Sequence, residues 1–147
     1  MLLYHISTDI ETTERDFIPR VPNLSQNAKT IENSTIPRIC FSETVSGCFS
    51  ALPKYSRYSL MQPNAKFVLY KIETTNLSSE DYLSNSEIVR RKLVYDANIT
   101  REWWLLKSMH LKGNLCKMLS VQQEKADVKP LIQNAASFKY KVHWIIL

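Results

Sequence analysis

The last ten residues, FKYKVHWIIL, place the strongest constraint on what this chain can fold into. Phe138, Tyr140, Val142, Trp144 and Ile146 alternate with Lys139, Lys141 and His143. Apolar residues at every second position do not line one side of a helix. They pave one face of a strand, whose successive side chains point to opposite sides. Such a strand needs a neighbour for its backbone and a core for its apolar face. Similar stretches recur at residues 2–7 (LLYHIS), 38–42 (RICFS), 66–73 (KFVLYKIE), 91–97 (RKLVYDA) and 102–109 (EWWLLKSM). About six strands suffice for one or two packed antiparallel sheets.

Helical signals are shorter. SETVSGCFSAL (42–52) opens on Ser42 as a candidate N-cap and stops at Pro53. SSEDYLSNSEIVRRK offers one or two turns, with Ser84 or Ser86 able to cap. GNLCKMLSVQQEKA reads either as a short helix after Gly113 or as a strand followed by a loop. Residues 8–36 are polar, punctuated by proline, and long for a structureless connection. No repeat, low-complexity tract or linker divides the 147 residues, a length that buries one core. The expected fold is α+β: a single domain over 1–147, mostly antiparallel strands in one or two packed sheets, with a few short helices.

Composition removes several chemistries. With only Gly47 and Gly113 there is no GxGxxG fingerprint and no phosphate loop, so any nucleotide site must use side chains and ordinary turns. The three histidines and three cysteines show no zinc-ligand spacing, and no metal is expected. Cys40, Cys48 and Cys116 form no CxxC pair and read as free thiols of a reducing compartment. No apolar run approaches the roughly 20 residues that span a bilayer, and the N-terminus lacks a basic leader. A cytoplasmic protein without a membrane is the expectation. Cys40 reads as a core residue of its strand, and Cys48 and Cys116 as buried structural thiols.

The net charge of +5 is unevenly spread, with four basic against six acidic residues over 1–50 and fifteen against eight over 51–147. A basic second half fits an anionic partner, either nucleic acid, nucleotide or an acidic protein face; it fits a solvated lysine-rich surface equally well. PKYSRYSLMQPNAK (53–66) interleaves Lys54, Arg57 and Lys66 with Tyr55 and Tyr58, and the stretch 87–104 adds Arg90, Arg91, Lys92 and Arg101. Cations beside exposed aromatics suit stacking and phosphate contacts on a single strand. The alternative is a loop whose tyrosines cover a sheet edge.

Polar residues stand on three strands, in chain order. His5 interrupts LLYHIS, as a structural histidine or as one that faces a ligand. Ser42 and Glu43 end RICFSE. Glu102 opens EWWLL on the face of Trp104 and Leu106, where a carboxyl is pushed up and needs a partner. In this order YHIS (4–7), FSE (41–43) and Glu102 resemble the ADP-ribosyltransferase superfamily. Its members carry a first-strand His or Arg, often as H-x-[ST], then an aromatic-Ser or aromatic-Thr strand, then a glutamate at a later strand start. YHIS is most similar to the YHIT opening of the DNA-targeting branch.

The resemblance implies a transferase that moves ADP-ribose from NAD to a macromolecular acceptor. It implies Glu102, His5 and Ser42 as catalytic, Ser7, Arg20, Arg38, Tyr55 and Tyr58 as NAD-binding, and no metal. FSET lacks the fuller Ser-Thr-Ser pattern of some branches. Thr100 stands two before Glu102, where the arginine-modifying branches carry an acid or glutamine, and this disfavours them. Three alternatives stand beside this reading: a degenerate relative with the same fold, a domain that interacts through a sheet edge, and a small basic binding protein. The last would be of phage or mobile-element type, docking on nucleic acid or a nucleoprotein through Lys54, Arg57, Lys66, Arg90, Arg91 and Arg101.

Overall fold

The computed structural model describes residues 1–24, 32–125 and 138–147. Its first half runs β1 (Leu2–Ser7), β2 (Glu14–Phe17), β3 (Ile39–Ser42), α1 (Val45–Ala51), α2 (Lys54–Leu60) and β4 (Lys66–Glu73). The second half runs β5 (Tyr82–Leu83), α3 (Asn85–Arg90), α4 (Ala97–Thr100), β6 (Glu102–Leu105), β7 (Met109–Lys112), β8 (Asn114–Lys125) and β9 (Phe138–Ile146). Seven strands form one antiparallel sheet in the order β5-β6-β3-β1-β4-β8-β9, and β2 pairs with β7 in a second, two-stranded sheet. The fold is α+β in one domain, richer in strand than in helix.

Phe67, Val68, Leu69 and Tyr70 of β4 are all fully buried, because both faces of the sheet are covered. Phe67 and Leu69 join Ile6, Phe49, Cys116 and Val142 under α1, while Val68 and Tyr70 join Leu3, Phe17, Phe41 and Leu105 under the small sheet. A third cluster, Ile88, Val94, Ala97 and Trp104, lies under α3 and α4. The large sheet curls so far that α1 touches both β1 and β3 in its interior and β9 at its edge. Along that edge the backbone N–H groups of Tyr140 and Val142 donate to the hydroxyls of Ser50 and Ser46 (3.3 and 3.2 Å). Two serines one helical turn apart thus cover edge donors that would invite another strand.

Several sequence expectations need correction. Residues 91–97 form no strand: Lys92 turns the chain at φ 53°, Val94 makes an isolated bridge to Glu32, and α4 begins at Ala97. The stretch 102–109 is interrupted after Leu105, where the N–H of Leu106 turns aside to the carbonyl of Asp81 (2.8 Å), and Met109 starts a strand of the other sheet. Residues 54–60 are helical, with Pro53 pre-set at the N-cap. The cap of α1 is Thr44, whose hydroxyl accepts from the N–H of Gly47 (2.9 Å), and not Ser42. Residues 114–125 are strand. Of the polar stretch 8–36, residues 25–31 lie outside the described residues, as does the side chain of Phe138.

Gly47 sits where α1 presses on the end of α4. A Cβ there would lie 2.2 Å from Ser42 Oγ and 2.3 Å from the Thr100 carbonyl oxygen. Gly47→Ala is therefore expected to lose about 3 kcal/mol of stability through overpacking, read as a lower urea midpoint.

Candidate active site

Strands β1 and β3 are neighbours, yet they pair at one register position, Tyr4 opposite Ser42, whereas β1 and β4 pair from Leu2↔Glu73 to Ser7↔Val68. Beyond Tyr4 the two strands part. The His5 ring fills the fork, with Nδ1 2.8 Å from the Cys40 carbonyl oxygen. A carbonyl only accepts, so Nδ1 carries the proton and Nε2 of the neutral ring is left as an acceptor. Burial pushes the His5 pKa below its ordinary value; the bond to Cys40 opposes this, and the charge of Arg15 adds to it. Phe17 meets the ring edge-on at 5.0 Å, with Phe41 at 5.4 Å.

The parting opens a cavity of about 190 Å³, lined by His5 and Ile6 on one strand, Cys40, Phe41 and Ser42 on the other, and Glu102. A second cavity of about 270 Å³ shares Cys40, Ala51, Thr100 and Glu102 with it and continues to Glu32, Arg57 and Asp96. The two are lobes of one cleft, and Glu102 stands where they meet.

The backbone that delivers Glu102 is held from several sides. Ser42 Oγ donates to the Thr100 carbonyl (2.6 Å) and accepts from the N–H of Thr44 (3.2 Å). Glu43 receives Arg101 through Nε and Nη2 (3.0 and 2.7 Å) on one oxygen and the Trp103 indole N–H (2.9 Å) on the other. Asn85 donates to the carbonyls of Ala97 and Glu102 (2.7 and 3.1 Å). The Glu102 side chain is buried and its Oε1 accepts from Trp104 Nε1 at 2.7 Å. Burial raises its pKa above the ordinary glutamate value, although the Cys40 thiol and the Trp104 indole both favour the charged form; the carboxylates of Glu32 and Asp96 push it further up.

Cys40 is not core. The residue is exposed and lines both lobes of the cleft, and desolvation of the thiol, with the Glu102 carboxyl beside it, pushes its pKa well above the usual thiol range. Cys48 and Cys116 are buried as expected, and burial pushes Cys48 up to about 12.

The cleft thus brings together His5, Ser42 and Glu102. It does not gather the others. Ser7 Oγ closes a turn with the backbone of Asp9, Arg20 is exposed and meets Arg38 only through paired backbone bonds, and neither lines the cleft. The Arg38 guanidinium is buried against Trp104, with ion-pair and carbonyl partners. Tyr55 and Tyr58 stand on the outer side of α2, 87% and 52% exposed, with Lys54 5.5 Å above the Tyr58 ring. Arg57 faces inward, bonds the carbonyls of Ser50 and Leu52, and lines the second lobe. Lys66, Arg90 and Arg91 are exposed, and Arg101 is taken by Glu43.

Sequence reading gave Glu43 no role beyond the end of its strand and passed over Asn85, Asp96 and Glu32. Nothing in their spacing marked them, because each acts across 12 to 60 residues of chain or across the cleft. No family model, curated protein or solved structure matches this chain.

A carboxyl whose folded pKa is raised ionises against the fold. Its neutral form is retained below the unfolded value, and stability is lost as pH rises through the folded value. Glu102→Gln is therefore expected to melt higher than the wild type at pH 7, with the gap closing below about pH 4.5, in calorimetric scans across that range.

Proposed function

We propose that the forked cleft binds NAD and that the protein transfers ADP-ribose to a macromolecular acceptor. The observation that carries this reading is the convergence of His5, Ser42 and Glu102 on one cavity from three strands. In such a transfer the bond from ribose C1′ to nicotinamide nitrogen breaks, and its electron pair neutralises the pyridinium, so nicotinamide leaves uncharged. Positive charge builds on the sugar, and a fixed carboxylate in a water-poor site stabilises it. Glu102 is such a group, held by an indole N–H and ready to accept a ribose hydroxyl. Neutral His5 offers Nε2 to a second hydroxyl, and its Nδ1 bond fixes the ring. The acceptor nucleophile supplies the new electron pair to C1′ and releases a proton. Ser42 acts on the backbone before Glu102, and not on the nucleotide.

Purified protein, a labelled NAD analogue and a mixture of protein, DNA and RNA acceptors test the reading. Transfer is expected with the wild type and falls at least about 100-fold in Glu102→Gln, the size of effect seen when one charge-stabilising group is removed. The wild-type rate is expected to decline toward acid as Glu102 takes up its proton, with a limb above the ordinary glutamate range. No label, together with no heat of NAD binding, overturns it.

The outer side of α2 favours a second reading, a surface for single-stranded nucleic acid. Tyr55 and Tyr58 are exposed aromatics beside Lys54, on the basic half of the chain. If they stack on bases, Tyr55→Ala with Tyr58→Ala should weaken an oligonucleotide at least about tenfold in anisotropy titrations, and added salt should weaken it further. Equal affinity in the double variant excludes this surface.

A further inference from the structure

A carboxylate buried on an apolar face is stable only with donors around it, and the donor that Glu102 meets is unusually well fixed. Trp104 lies two residues on along β6, on the same face, and is fully buried. The Arg38 guanidinium covers its ring, with Cζ 3.8 Å from the centroid. Arg38 in turn is clamped by Glu32 (2.5 Å) and by the carbonyls of Asn33 and Ile36 (2.9 and 3.1 Å). The indole therefore has little freedom to turn, and its N–H is aimed at Glu102 Oε1.

We infer that Trp104 is a positioning residue, whose indole N–H orients the Glu102 carboxylate toward the cleft and keeps it charged, with Arg38 locking the indole. The inference rests on the preceding reading for what Glu102 does, but not for how it is held. A hydrogen bond to an ionised acceptor is stronger than one to a neutral group. Loss of this one therefore acts on the charged form of Glu102 more than on the protonated form. Among the described residues, the other titratable or charged groups that face Glu102 are Cys40 from β3, Cys48 from α1, Asp96, Glu32, His5 from β1 and Arg57 from α2 across the second lobe. All of them remain when the N–H alone is removed.

Replacement of Trp104 by 3-benzothienylalanine does this, since sulfur takes the place of the N–H while ring volume and stacking surface are kept. Trp104→Phe serves as a cruder companion, and should it fail to fold, the isostere still decides. Two quantities are read: the pH titration of the Glu102 carboxyl carbon by NMR in the unliganded protein, assigned with Glu102→Gln, and the pH profile of NAD-dependent transfer. The carboxyl titration is expected to move to higher pH, and the acid limb of transfer with it. The rate should fall about tenfold on that limb, with KM for NAD little changed. An unmoved titration overturns the role of Trp104, whatever happens to the rate. Absence of transfer by the wild type ends the preceding reading instead, and the carboxyl titration then still supports or overturns the hold of Trp104 on Glu102.

Discussion

The bond from His5 to the Cys40 carbonyl is the feature on which the cleft depends. After Tyr4↔Ser42, strands β1 and β3 cease to pair, which exposes backbone groups in the interior of a sheet. Unmet polar groups there are costly. A histidine on β1 supplies the missing donor from its side chain and so allows the fork to stay open. The ring also carries the fork's apolar lining through Phe17 and Phe41. An apolar residue at position 5 would leave the Cys40 carbonyl without that donor.

The fork also changes which residues meet. Regular alternation puts Leu3, His5 and Ser7 on the face of the small sheet, and Ser42, Glu102, Cys40 and Trp104 on the face of the helices. In an unbroken sheet His5 and Glu102 would lie on opposite sides. They line one cavity because the sheet opens between them. The same opening explains Cys40, which alternation places on a buried face but which looks into the gap left by the departing strand.

This marks the boundary of what the sequence made legible. Alternation and turn residues are local, and they found β4 at 66–73, the C-terminal strand and the stop of α1 before Pro53. The same local logic misread KLVY at 92–95, whose apolar residues serve a turn because Lys92 takes a left-handed conformation and Val94 packs under α3 and α4. It marked Glu102 as a carboxyl in need of a partner on the face of Trp104, since period 2 suffices for that. It had no means to find the role of Glu43, whose two oxygens grip Arg101 and Trp103 on either side of Glu102. Nor could it show that Arg38 is spent on Glu32 and Trp104, because an arginine stacked on a ring looks in sequence like any other cation.

The restraints around Glu102 form a pattern with a physical consequence. Ser42 holds Thr100, Glu43 holds Arg101 and Trp103, Asn85 holds the Glu102 carbonyl, and Trp104 holds the carboxylate. Four consecutive residues, Thr100 to Trp103, are thus fixed by partners on other elements or on the strand itself, around a side chain whose ionisation opposes folding. A protein that needed only a filled core at this position would be better served by an apolar residue, which requires no donors. Retaining an acid here, with the hydrogen bonds to keep it oriented, is the arrangement expected of a site where a fixed charge has work to do on a bound molecule. The cost falls on stability; in the transfer proposed above the return would fall on preorganisation, since a carboxylate already aimed need not be reoriented when charge develops beside it.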